Sequence, residues 1–117
     1  MKPALDQPSQ PHSGVRHWRL QRVSAIVLTP LSLWVVIELV PLPAQNYAAA
    51  LDWIHEPLSI GLLLLLVPAL YLHAALGVQV VLEDYISDPL RRRLIVITHA
   101  IASVGALGTL GALFLAY

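Results

Sequence analysis

The sequence predicts an all-α integral membrane protein whose three transmembrane helices form a helical bundle, and three observations carry that expectation. Hydrophobic residues make up 57% of the 117 positions against 12% charged, with a mean hydropathy of +0.71. The charges are confined to short stretches and leave three runs almost free of them, roughly 23 to 40, 58 to 82 and 94 to 117. Each run reaches the length of about 20 residues that crosses a hydrocarbon layer of about 30 Å as a helix. Lipid offers backbone amides no partners, so every span must satisfy its own, and a helix does so within one segment.

The third observation is the asymmetry of charge. Lys2, Arg16, Arg19 and Arg22 precede the first run, and Arg91, Arg92 and Arg93 precede the last. The stretch from Pro41 to Pro57 between the first two runs carries Asp52 and Glu56 and no Lys or Arg. By the positive-inside rule the N-terminus and the 83 to 93 loop face the cytoplasm, and Tyr117 ends on the opposite, periplasmic side. Cysteine is absent, which excludes disulfides, thiol chemistry and iron-sulfur ligation by this chain. Nothing in the charge pattern calls for a nucleic-acid partner.

Taken in order, residues 1 to 20 read as a flexible cytoplasmic tail, because MKPALDQPSQPHSG is polar and proline-rich without the apolar stretch of a signal peptide. With no transit peptide evident, a bacterial inner membrane is the expected location. Residues 21 to 117 form the transmembrane domain, with helices near 21–40, 57–84 and 92–117. Pro30 in the first leaves the Ile26 carbonyl without its amide partner, a loss that Thr29 or Ser32 can offset. In the outer loop, NYAAALDWI suits a short interfacial helix anchored by Tyr47 and Trp53, and His55 is expected to be solvated. The second span opens at Pro57, a favoured first helical position. Ala102, Gly105, Gly108 and Ala112 give the third a face of small residues open to close helix packing.

Only His73 and His99 lie within spans, and an ionisable group there is costly enough to suggest a function by default. His73 sits about 13 Å from a boundary near Leu82, close to the bilayer midplane, with Ala74, Ala75 and Gly77 as small neighbours. Neutral imidazole at such a place is either an axial ligand for heme iron or a structural hydrogen-bonding group. Asp84 follows eleven residues later, about 1100° of helix rotation, which returns it to within about 20° of the same face. Tyr85 lies beside it, about 120° from His73. A tyrosine hydroxyl can donate to a carbonyl, and a neighbouring carboxylate can orient it or relay protons. A solvated acidic turn with an interfacial tyrosine is the plainer alternative.

HAALGVQVVLEDY, together with RVSAIVLTP at the start of the first span, resembles the hydrophobic membrane-anchor subunit of succinate dehydrogenase. The resemblance implies a helical bundle shared with a companion anchor subunit in respiratory complex II, which also contains an iron-sulfur subunit and a flavoprotein subunit. It implies that His73 is a heme b axial ligand opposite a ligand from the companion, and that Arg22 pairs with a heme propionate. Tyr85 then hydrogen-bonds a ubiquinone carbonyl and Asp84 lines the same site. FAD and the iron-sulfur clusters belong to the partner subunits, this chain has no catalysis of its own, and a trimer of the heterotetramer is a further expectation. Where the pattern has a histidine in the N-terminal segment, Arg16 stands with His17 next to it, so a second propionate contact is not assigned. His99 has no place in the pattern. It reads as a polar helix-helix contact, against a rival in which His73 and His99 ligate one heme within a self-contained cytochrome b. The remaining alternative is a packing or assembly subunit with two structural histidines.

Overall fold

A computed structural model describes residues 13–41 and 44–117. Four helices follow one another: α1 (Ser13–Leu39), α2 (Tyr47–His55), α3 (Pro57–Tyr85) and α4 (Leu90–Ala116). Three of them, α1, α3 and α4, are long and apolar enough to cross a membrane. At 29 residues, α3 is about 44 Å long, so its ends reach well beyond a hydrocarbon layer of about 30 Å.

The first helix starts at Ser13, not near residue 21. Residues 13 to 20, expected as tail, are therefore helical; residues 1 to 12 lie outside the described part. The cause is local: Arg16, Arg19, Leu20, Gln21 and Arg22 are good helix formers, and no proline follows Pro11 until Pro30. The interfacial helix in the outer loop forms as α2, capped by Asn46, whose side chain accepts from the Ala49 amide at 3.0 Å.

α3 is the middle helix and packs against both α1 and α4. Its α2 end is held by an apolar cluster of Leu28 and Leu31 on α1 with Leu63 and Leu66 on α3, which Val35, Leu62 and Leu113 surround. Trp53 does not anchor outward beside the exposed Tyr47; it stacks on Trp34, ring centres 5.8 Å apart and planes 22° apart. His55 is not simply solvated either, because its Nε2–H donates to the Ala116 carbonyl at 2.7 Å. The last carbonyls of α4 lack intrahelical donors, and an imidazole at a helix C-terminus supplies one.

Among the glycines of α4, Gly105 meets a neighbouring helix. A Cβ there would lie 2.5 Å from a ring carbon of Tyr71 on α3, whereas Gly108 faces open space. Thr109 donates to the Gly105 carbonyl at 2.8 Å and accepts from the Tyr71 hydroxyl at 3.1 Å. No residue of α4 is buried, and Ile101, Val104, Leu107, Phe114 and Leu115 are exposed. Such a surface suits lipid or further helices. Thr29, expected to offset the break at Pro30, donates to the Ala25 carbonyl at 2.8 Å instead of to Ile26.

Candidate functional site

Toward the arginine-bearing end, polar side chains replace the leucines along α3. Ser24 of α1 is buried and its Oγ lies 3.0 Å from Nδ1 of His73 on α3. The same hydroxyl donates to the Gln21 carbonyl at 3.0 Å. A hydroxyl has one proton, and with that proton on the carbonyl its oxygen accepts from His73 Nδ1–H. The ring's lone pair is then on Nε2, one of the two positions from which imidazole can coordinate a metal.

Ser24 belongs to a stripe on α1. His17, Gln21 and Ser24 follow at spacings of four and three, which places them on one helical face. The Gln21 side-chain nitrogen approaches the place a Cβ of Gly77 would occupy to 3.7 Å, so this face lies against α3 one turn from His73. His17 Nε2 and Gln21 Oε1 are buried and have no hydrogen-bond partner among the described residues. Buried polar atoms are nearly always paired, so these two call for a partner beyond the described residues.

His73 also borders an open apolar groove of about 450 Å³, lined further by Ala74, Gly77, Val78, Val81 and Leu82. Among the described residues no cluster of three or more His, Cys, Asp or Glu is arranged to hold a bare metal ion. A macrocycle that brings its own in-plane donors needs only an axial ligand, so this donor set suits a heme better than a free ion.

The remaining sequence-derived positions are not drawn into contact with His73. Arg22 is exposed, its guanidinium 5.6 Å from the centre of the Trp18 ring. Being two residues before Ser24, it lies about 200° away around α1. Asp84 and Tyr85 end α3, both exposed, Tyr85 at 82%. The helix runs unbroken from His73 to Tyr85, so the register that brings Asp84 under His73 is kept.

His99 has a partner of its own. Its Nε2–H donates to Gln79 Oε1 at 2.8 Å, and the Gln79 amide nitrogen donates to Glu83 at 2.7 Å. Gln79 follows His73 by six residues, a rotation of about 600°, so the two histidines meet sides of α3 about 120° apart. Beyond Tyr85, Asp88 accepts from Arg91 at 2.7 Å and lies 3.8 Å from Arg92, tying the basic start of α4 to the connection. Residue-type reasoning passed over Ser24, Gln21 and Gln79, although the spacing of His17, Gln21 and Ser24 was a readable signal.

Residues 1–109 match the family described as succinate dehydrogenase/fumarate reductase transmembrane subunit. The chain is 36% identical over 104 residues to the succinate dehydrogenase hydrophobic membrane anchor subunit of Rickettsia conorii, covering 87% of this chain and 82% of the relative. The protein of the same name from Rickettsia bellii is 41% identical over 86 residues, 72% of this chain and 68% of that one. The Rickettsia felis protein is 36% identical over 89 residues, 75% and 74% of the two chains. No solved structure matches the chain significantly.

Proposed function

The chain belongs to the succinate dehydrogenase/fumarate reductase transmembrane subunit family and is a membrane anchor of that complex, and from this premise we propose that His73 holds one axial position of a heme b while Tyr85 and Asp84 form part of a ubiquinone site. Like the relatives named as anchor subunits, it has no catalysis of its own and serves an oxidoreductase assembled from several chains.

The observation that supports the heme assignment best is the Ser24 to His73 hydrogen bond, which leaves the Nε2 lone pair available to a metal. The apolar groove beside His73 and the unpaired atoms of His17 and Gln21 support it, since a flat, polar-edged group shared with a companion chain suits all three. Heme bound there supplies one-electron storage. Arg22 offers a guanidinium that can pair with a propionate. A companion cytochrome b anchor subunit would supply the other ligand to such a heme, while the flavoprotein and iron-sulfur subunits would carry FAD and the clusters.

At the end of α3 the Tyr85 hydroxyl donates to a ubiquinone carbonyl, and Asp84 orients the site or passes protons from the aqueous side. Their exposure in the isolated chain fits a wall that partner subunits complete. Arg16, Arg19 and Arg22 at one helix start and Arg91, Arg92 and Arg93 at the other support a cytoplasmic N-terminus and a periplasmic C-terminus in a bacterial inner membrane. A trimer of heterotetramers completes the proposed assembly.

The rival single-chain heme needs His73 and His99 to face one iron, whereas they meet sides of α3 about 120° apart, His99 through its bond to Gln79. Native mass spectrometry of the complex, purified gently through a tag on this chain, tests the reading. Four different subunits with bound heme and flavin are expected. Heme with this chain alone points back to the single-chain cytochrome, and an intact complex without heme makes His73 structural.

A further inference from the structure

We propose that Ser24 is the positioning residue that fixes the tautomer, orientation and donor strength of His73 as an iron ligand, an inference that rests on the heme reading above. For Nε2 to coordinate iron, the ring proton must sit on Nδ1, and that proton then needs an acceptor within the membrane. Ser24 Oγ is the atom placed to accept it, at 3.0 Å. The hydroxyl can act as acceptor because its own proton is directed to the Gln21 carbonyl, also at 3.0 Å. Ser24 is only 5% exposed, so solvent is a poor substitute if the hydroxyl is removed. Its burial against α3 also ties the imidazole to the helix that carries Gln21 and Arg22.

Partners on the far nitrogen of a ligating histidine set its orientation and raise its basicity. Pulling the Nδ1 proton toward Ser24 makes Nε2 a stronger electron donor, which favours ferric over ferrous iron and lowers the reduction potential. A neutral hydroxyl pulls less than a carboxylate, so Ser24 gives a fixed ring with a moderate bias. Removing the hydroxyl while keeping the helix contact is expected to move the potential upward and to free the ring to rotate.

The test compares Ser24→Ala and Ser24→Thr in the purified multisubunit complex. The readouts are heme content from the reduced-minus-oxidised spectrum, the midpoint potential from redox titration, and the g-values of the oxidised low-spin heme. Ser24→Ala is expected to shift the potential positive and to change the g-values, or to lose heme from an assembled complex. Ser24→Thr restores the wild-type values. Unchanged potential and g-values in a heme-replete Ser24→Ala complex overturn the proposal. Should Ser24→Ala fail to assemble, Ser24→Thr against Ser24→Val, alike in shape and differing in the hydroxyl, is read the same way. Wild-type complex without heme, or heme retained in full by His73→Ala, instead ends the heme reading itself.

Discussion

The half of α3 nearest α2 is packed with leucine against leucine and tryptophan against tryptophan, through Leu28, Leu31, Leu63, Leu66, Trp34 and Trp53. In the other half Ala75 and Leu76 are buried as well, but polar side chains also reach between helices: Ser24 to His73, Gln21 over Gly77, and His99 to Gln79. Both halves bury polar atoms without a partner among the described residues, Trp53 Nε1 in the first, His17 Nε2 and Gln21 Oε1 in the second. The difference is what surrounds those atoms. Trp53 is one indole in an apolar cluster, whereas His17 and Gln21 extend a polar face that already orients an imidazole. One half has the character of an apolar core, and the other joins helices through a polar face, the one on which the proposed heme site rests.

The sharpest break in that comparison is His73→Ala. It is expected to abolish heme absorbance in the purified complex, while His99→Ala leaves it near wild type. Equal losses in the two variants would contradict the assignment of separate roles. Leu66→Ala, in the apolar half, is expected to do the reverse: heme is kept and stability falls. Core leucines in water-soluble proteins cost about 2–5 kcal/mol on truncation to alanine. In lipid the transfer contribution largely vanishes and the packing loss remains, so a value near the lower end, about 2 kcal/mol, is expected. Thermal unfolding of the complex in detergent measures it, and an undiminished midpoint would show that partner subunits, not this cluster, hold the half together.

How much of this was legible beforehand follows from the same contrast. Apolar runs and charge placement revealed three spans, because lipid makes length and hydrophobicity sufficient signals. The start of α1 was missed by the same logic: Arg16 and Arg19 look like the edge of a span, yet helix propensity continues through them. His73, Asp84 and Tyr85 stood out as ionisable or phenolic groups at helical spacing. Ser24 and Gln79 did not, since serine and glutamine are ordinary in helices and become distinctive only when another helix brings a histidine to them. Trp53 and His55 were misjudged for a related reason, because a loop sequence does not reveal that Trp34 and the end of α4 stand beside it.

Tyr85→Phe sharpens the comparison at the end of α3. The phenyl ring keeps the shape and removes only the donor, and a neutral hydrogen bond is worth about 0.5–1.5 kcal/mol, so quinone reductase activity is expected to fall roughly two- to tenfold. Heme content and subunit composition stay unchanged, because Tyr85 is 82% exposed and contributes little to packing among the described residues. Normal turnover in the variant would remove Tyr85 from the quinone site.

The smallest expected effect is the most discriminating for His99. Gln79→Leu removes the acceptor for His99 Nε2–H and also the donor to Glu83. Glu83 is exposed, so water replaces its lost partner at little cost. His99 is part-buried against α3 and has less access to such a substitute. Polar contacts between membrane helices average about 0.6 kcal/mol and reach about 1.7, which sets the expected loss of stability on thermal unfolding. A double-mutant cycle with His99→Leu should recover most of that amount as coupling, since either substitution alone breaks the same bond. Heme potential is the decisive accompaniment. If His99 only joins α4 to α3, Gln79→Leu leaves the potential where it was, because His73 takes its orientation from Ser24 on the other side of α3. Were His99 the second axial ligand, Gln79 would stand to it as Ser24 stands to His73, and its loss would move the potential in the same positive direction.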